Sequence, residues 1–135
     1  MGIILDADVV IGGERGALDL SAWLASHPDD DFELAAITVA ELWHGVERAS
    51  LPHRAHRERY LRAIVDTFPV IPYTEQIAYL HAELWALLES SGKMMGAYDL
   101  IVAATAIERG SAVATYNRRH FSLVQGLTIL HPGKD

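Results

Sequence analysis

Ile3-Ile4-Leu5-Asp6-Ala7-Asp8-Val9-Val10-Ile11-Gly12-Gly13 is the stretch on which the fold turns. Its aliphatic run, rich in β-branched residues and closed by two glycines, predicts a buried strand over residues 3–11. A strand buried on both faces needs helices above and below it, so the rest of the chain has to supply them. Asp6 and Asp8 interrupt the run. In a continuous strand, alternation puts both carboxylates on one face. Burying an ionised carboxylate is costly unless something pairs it, so these acids either cap the next helix or belong to a site.

Downstream, helix and strand patterns alternate. Ala17 to Ser26 reads as a short helix with Leu18, Trp23 and Leu24 apolar, Pro28-Asp29-Asp30-Asp31 as a loop, and Glu33 to Ile37 as a strand. Thr38 to Ala49 carries Val39, Leu42, Trp43 and Val46 at helical spacing. Pro52 suits the start of another helix, with Tyr60, Leu61, Ile64 and Val65 on its apolar side. Val70-Ile71 is a short strand ended by Pro72, and Thr74 to Ser90 is the longest helix, with Ile77, Leu80, Leu84, Leu87 and Leu88 as its buried face. Tyr98 to Arg109 is a strongly apolar helix that Gly110 closes. Ala112 to Thr115 is a strand, Asn117 to Phe121 a turn and Leu127 to Leu130 a last strand. This alternation predicts one α/β domain over residues 1–135, a central parallel sheet with helices on both faces. Ligands bind beyond the carboxyl ends of such strands, so a site is expected just after Leu5, Ile37 and Val113.

Bulk composition narrows the chemistry. Half of the 135 residues are hydrophobic and 21% are charged, which suits a folded chain with one core rather than a disordered one. The absence of cysteine excludes disulfides, thiolate metal sites and cysteine nucleophiles. No apolar stretch approaches the roughly 20 residues of a membrane span. The first residues show no basic segment of a signal peptide, so a cytoplasmic protein is expected. The net charge of −7 is the wrong sign for a nucleic-acid binder. Carboxylates gathered round a metal are neutralised by it, however, and the positive charge is clustered. Four of the eleven Lys and Arg lie in His53-Arg54-Ala55-His56-Arg57-Glu58-Arg59-Tyr60-Leu61-Arg62, and Arg118-Arg119 adds two. The first of these runs reads equally well as a solvated helix face.

Two further acids stand at element ends. Glu41 follows Thr38 by three residues, a capping-box spacing; the same position also points a carboxylate into the cleft above a sheet. Asp99 opens an apolar helix, where the helix dipole favours an acid. Each has a local explanation, yet three separate elements deliver Asp6, Glu41 and Asp99 to the edge where a ligand binds. Mg²⁺ and similar hard cations take oxygen ligands, and such ions assist phosphodiester cleavage.

Four stretches in order carry a resemblance: Ile4 to Ile11, Thr38-Val39-Ala40-Glu41-Leu42-Trp43-His44-Gly45, Tyr98-Asp99-Leu100-Ile101-Val102-Ala103-Ala104-Thr105-Ala106, and Ala114-Thr115-Tyr116-Asn117-Arg118-Arg119-His120-Phe121. Together they resemble the PIN-domain family and, within it, the VapC-type toxins of type II toxin–antitoxin pairs. The resemblance implies a three-layer α/β/α fold and an endoribonuclease that uses Mg²⁺ or Mn²⁺. It also implies inhibition by a cognate antitoxin, and a homodimer. By position, Asp6 and Asp99 become central metal ligands, and Glu41 binds metal or orients the attacking water. Two departures are visible. Asp8 stands where the family often has Ser or Asn, adding a possible ligand or a cap. Asn117 occupies the likeliest place of the family's fourth acid, with His120 able to assist. Thr115 can hold a water or simply end a strand. Lys93, Arg118 and Arg119 are expected near the cleft, against RNA phosphates.

Two other readings stay open. One is a PIN-like module that binds an antitoxin or RNA without cleaving. The other is a nucleotide enzyme using Gly12-Gly13-Glu14-Arg15-Gly16 as a phosphate loop, although the spacing is neither Gly-x-Gly-x-x-Gly nor a Walker loop. His53 and His56 are three apart, but no His-Glu-x-x-His or Gly-x-Ser-x-Gly occurs. Trp23, Trp43 and Trp85 are anchors for a core or an interface.

Overall fold

The computed structural model describes residues 1–133. Five parallel strands form the sheet in the order β3-β2-β1-β4-β5, with β1 at Gly2–Leu5, β2 at Asp31–Ala35, β3 at Val70–Ile71, β4 at Ala112–Ala114 and β5 at Ile129–Leu130. Parallel neighbours require crossovers, which the helices provide. These are α1 (Ala7–Glu14), α2 (Leu20–Ala25), α3 (Ala36–Arg48), α4 (Leu51–Thr67), α5 (Glu75–Ser90), α6 (Ala97–Arg109) and α7 (Arg118–Phe121).

Alternation along β1 divides the core into two layers. Ile3 and Leu5 pack with Val9, Val10, Leu42, Val46 and Leu61, on the side of α1, α3 and α4. Ile4 packs on the other side, with Val102, Ala103 and Ala106 of α6 and with Phe121 and Val124. The result is the expected three-layer α/β/α arrangement. Among the described residues, no helix is long and apolar enough to cross a membrane.

Several boundaries differ from the sequence expectation. The strand expected over residues 3–11 ends at Leu5, and Val9-Val10-Ile11 belongs to α1. A continuous apolar run looks alike in a buried strand and a buried helix; Asp6 decides, because its carboxylate accepts the Ala7 N–H and turns the chain into a helix. Asp6 and Asp8 therefore do not share a strand face. The phosphate loop is overturned with it, since Gly12, Gly13 and Glu14 are helical. A Cβ on Gly13 would sit 2.6 Å from the Tyr60 hydroxyl and 3.0 Å from Leu20, so this glycine serves close helix packing instead.

The capping box at Thr38 is also overturned. The N-cap of α3 is Ala35, without a side-chain cap, which puts Thr38 and Glu41 inside the helix. The turn at 117–121 contains the short α7. Leu87 is exposed, so the buried face of α5 is narrower than its leucines suggest. Val70–Ile71 and the stop at Gly110 fall where expected, and the helix expected from Thr74 begins at Glu75 with Thr74 as its cap; Gly110 adopts φ 65°, the left-handed geometry that glycine tolerates.

Candidate metal and nuclease site

The strand order reverses at β1. From β1 the chain moves outward to β2 and β3, then returns to add β4 and β5 on the other side. A crevice opens beyond the carboxyl ends at such a switch point. Here it lies after Leu5 and Ala114, and the next residues in each strand are Asp6 and Thr115.

These two residues meet. The Thr115 hydroxyl donates to Asp6 Oδ2 at 2.8 Å, with Asp8 Oδ2 3.3 Å away. The Tyr116 N–H donates to Asp8 Oδ2 at 3.2 Å, and the Asn117 N–H to Thr115 Oγ1 at 2.9 Å. The segment after β4 is thus a cradle for the acids that follow β1. Glu41 enters from the second turn of α3, and Asp99 from the first turn of α6. Gly96 is the N-cap of α6, and a Cβ there would stand in ordinary contact with Asp99 Oδ2 at 3.4 Å.

Electrostatics describe one cluster. Burial first, then the Asp8 and Asp99 charges, push the Asp6 carboxyl up to about 7 from 3.8, against the Thr115 and Ala7 hydrogen bonds. Asp8 is raised chiefly by burial, with Asp99 adding and the Tyr116 and Thr115 bonds opposing. Glu41 is raised by burial, then by Asp99 and Asp8. Four carboxylates from three elements therefore repel one another in a low-dielectric crevice, the arrangement expected where a positive charge is to be received.

Hydrogen bonding points the same way. Asp8 Oδ1 and Glu41 Oε1 are buried and have no hydrogen-bond partner. An ionised oxygen left in that state is costly. A hard divalent cation fits this donor set, since it takes carboxylate oxygens and cancels their repulsion. Among the described residues, the side chains do not close into a set of three ready-made ligands; both oxygens of Asp6 are held by Ala7 N–H and the Thr115 hydroxyl.

The remaining candidates divide. The Asn117 side chain turns to His120, Nδ2 to Nδ1 at 2.9 Å, and the same ring nitrogen lies 3.7 Å from Asp99 Oδ2. So His120, as well as Asn117, stands at the position where the sequence has no fourth acid. Arg118 and Arg119 are exposed on α7 beside this pair. Lys93 lies in the loop after α5, where it borders hollows lined by Leu84, Leu88, Trp85 and Val124. Sequence reasoning missed the Tyr116 N–H as a partner of Asp8; only the course of the chain after β4 reveals it.

The signature of the family described as PIN domain matches residues 3–127. The VapC ribonuclease Y4jK of Sinorhizobium fredii is 31% identical, with 96% of each chain covered. The structure of VapBC2 from Rickettsia felis, bound to a DNA fragment from the promoter, superposes with a TM-score of 0.88 at 21% identity, covering 96% of this chain and 97% of that one. VapBC-5 from Mycobacterium tuberculosis, a member of the VapBC family of toxin–antitoxin systems, superposes with a TM-score of 0.78 at 29% identity, covering 96% of this chain and 98% of that one.

Proposed function

This chain belongs to the PIN domain family, and on that premise we propose that it is an endoribonuclease, the toxin of a toxin–antitoxin pair, which hydrolyses RNA phosphodiester bonds with a divalent metal. The carrying observation is the set of buried, partnerless carboxylate oxygens at the sheet's switch point. Ribonuclease is the named activity of a relative covering nearly the whole chain.

In this reading Asp6, Asp8, Glu41 and Asp99 would hold a divalent ion, Mg²⁺ or Mn²⁺, which would supply activation of water and stabilisation of charge on the phosphoryl oxygens. Thr115 and the Tyr116 N–H keep Asp6 and Asp8 in place, as supporting hydrogen bonds do for ligands generally. Glu41 carries an oxygen that can accept a proton from the attacking water. The water oxygen bonds to phosphorus, the bond from phosphorus to the leaving ribose oxygen breaks, and that oxygen takes up a proton. Asn117 positions the His120 ring beside Asp99. Arg118 and Arg119 meet flanking phosphates.

The partner in this proposal is a cognate antitoxin, by analogy with the toxin–antitoxin assembly of VapBC-5. Exposed Trp85, Leu87, Met94 and Tyr98 support an additional interface, here assigned to a homodimer acting in the cytoplasm. A binding module without cleavage would leave the partnerless acids unexplained. The test is incubation with a mixed RNA pool in Mn²⁺, beside an Asp6→Asn, Asp99→Asn double variant purified identically. Cleavage by the parent alone supports the proposal. Cleavage by neither, with an antitoxin still bound, moves the protein to the non-catalytic reading.

A further inference from the structure

The chain has a net charge of −7 and must nonetheless hold a polyanion beside four carboxylates, so the question is which cations are free to meet phosphate. The basic run on α4 is largely committed. Arg54 pairs with Glu47 at 3.1 Å. Arg57 pairs with Glu14 at 3.1 Å and reaches the Gly45 carbonyl at 3.4 Å. Arg62 stacks 4.6 Å over the Trp43 ring. Arg109 is bound to Glu33. Lys134 lies outside the described residues.

Among the described residues, Arg15, Arg48, Arg59, Arg62, Lys93, Arg118 and Arg119 have no carboxylate partner within an ion pair. One of them, Arg15, shares a crevice with Glu41 of the acid cluster. Arg15 lines a crevice of about 50 Å³ between α1, α3 and α4, together with Glu41, Ile11, Leu42 and the paired Arg57. Arg15 is exposed and its backbone is fixed, since it caps α1 with its N–H on the Ile11 carbonyl at 2.9 Å. Helical rise puts it about 13 Å beyond Asp6 along α1.

We propose that Arg15 is a substrate-binding residue, contacting an RNA phosphate away from the scissile one and setting the direction in which the strand leaves the acid cluster. The inference rests on the ribonuclease reading and adds to it a second cationic wall. Arg118 and Arg119 on α7 meet the strand next to His120, which lies by Asp99, and Arg15 meets it past Glu41. A guanidinium is permanently charged and its fork matches a phosphate. Arg57 in the same crevice is paired with Glu14, so Arg15 is the guanidinium there without an ion-pair partner. A contact remote from the scissile bond acts on binding, so the effect belongs in KM rather than kcat. The competing explanation is electrostatic: an arginine at a helix C-terminus stabilises the dipole, which would alter melting temperature and leave RNA affinity alone.

The test uses the full chain carrying Asp99→Asn, to silence cleavage, and a labelled mixed-sequence RNA oligonucleotide pool. Binding is followed by anisotropy across a salt series for this chain and for versions adding Arg15→Gln, Arg15→Lys or Arg59→Gln. Arg15→Gln should weaken binding several-fold at low salt and flatten the slope of log K against log salt by about 0.7, the counterion release expected when one phosphate of a single strand is neutralised. Arg15→Lys should keep the slope, and Arg59→Gln should match the background. In the active chain, Arg15→Gln should raise KM several-fold with kcat within about twofold. A slope and KM unchanged by Arg15→Gln, or a melting shift alone, would overturn the proposal while the ribonuclease reading stood. RNA binding lost equally in Arg59→Gln would overturn it as well, by showing a diffuse charge effect. A background chain that bound no RNA, with a parent that cut none, would overturn both.

Discussion

Glu33 in β2 and Asp6 just past the end of the neighbouring β1 are buried acids, and the molecule treats them in opposite ways. Glu33 is 6% exposed and Asp6 5%. The Glu33 carboxylate lies toward the amino ends of the strands, where Arg109 binds it through two nitrogens and Ser111 Oγ stands 3.4 Å away. A Cβ on Gly2 would lie 3.2 Å from its Oε1, so the pair is packed as well as neutralised. At the carboxyl ends Asp6 meets hydrogen-bond donors but no basic side chain; its charged neighbours are Asp8 and Asp99. Depth alone therefore does not mark function. Glu33 has the compensation that a structural acid needs, and the Asp6 cluster has the deficit that a ligand must fill.

The largest test of that contrast is activity. Asp6→Asn or Asp99→Asn should lower RNA cleavage well beyond the 10–100-fold typical of losing an outer-shell partner, with the fold retained by circular dichroism. Arg109→Ala should do the reverse. It leaves Glu33 buried without its cation and should cost roughly 1–3 kcal/mol in urea unfolding, with kcat per folded molecule unchanged. Loss of activity without loss of stability in Arg109→Ala would break the comparison.

The pH dependence sharpens it. The Asp6 carboxyl sits at about 7 in the folded protein against 3.8 ordinarily. Between those values the folded state keeps a proton that the unfolded state has released, so stability falls as pH rises. Its contribution is full below 3.8 and lost above about 7. In metal-free protein, Asp6→Asn should therefore become more stable than the parent as pH rises through this window, by roughly 2–4 kcal/mol at the upper end. A divalent ion takes the ionised carboxylates, so the Mn²⁺-induced rise in Tm should grow over the same range and shrink in Asp6→Asn. A pH-independent Mn²⁺ shift would count against a site built on Asp6.

Smaller effects follow at the rim. Thr115→Val removes the hydroxyl that fixes Asp6 Oδ2 and should lower Mn²⁺ affinity about 10-fold, read by the Tm shift. Arg118→Ala with Arg119→Ala should weaken RNA binding and flatten its salt slope by about 0.7 for each phosphate of a single strand left without its arginine. An unchanged slope would remove α7 from the RNA surface.

Much of the fold and site is legible in the sequence. Most of the element order, apart from α1 and α7, the apolar stripe of α3, the stop at Gly110 and the arrival of Asp6, Glu41 and Asp99 at one edge follow from periodicity and placement. The misreadings share a cause. Residues 3–11 are apolar almost throughout, and their pattern does not tell strand from helix; Thr38 and Glu41 have the spacing of a capping box, but α3 begins two residues before Thr38. The basic run on α4 could not be sorted by sequence, because its partners Glu14 and Trp43 lie on other helices.

Sequence by itself determined the kinds of groups available: an alternating α/β pattern, acids at the ends of strands and starts of helices, and no thiol. Tertiary structure alone decided which acids are paired. Arg109 reaches Glu33 across 76 positions and Thr115 reaches Asp6 across 109. The physical reason is that burial and charge compensation depend on distances in space, whereas local propensity acts over a few residues. The parallel sheet brings β1 and β4 side by side, and that adjacency makes the Asp6 crevice.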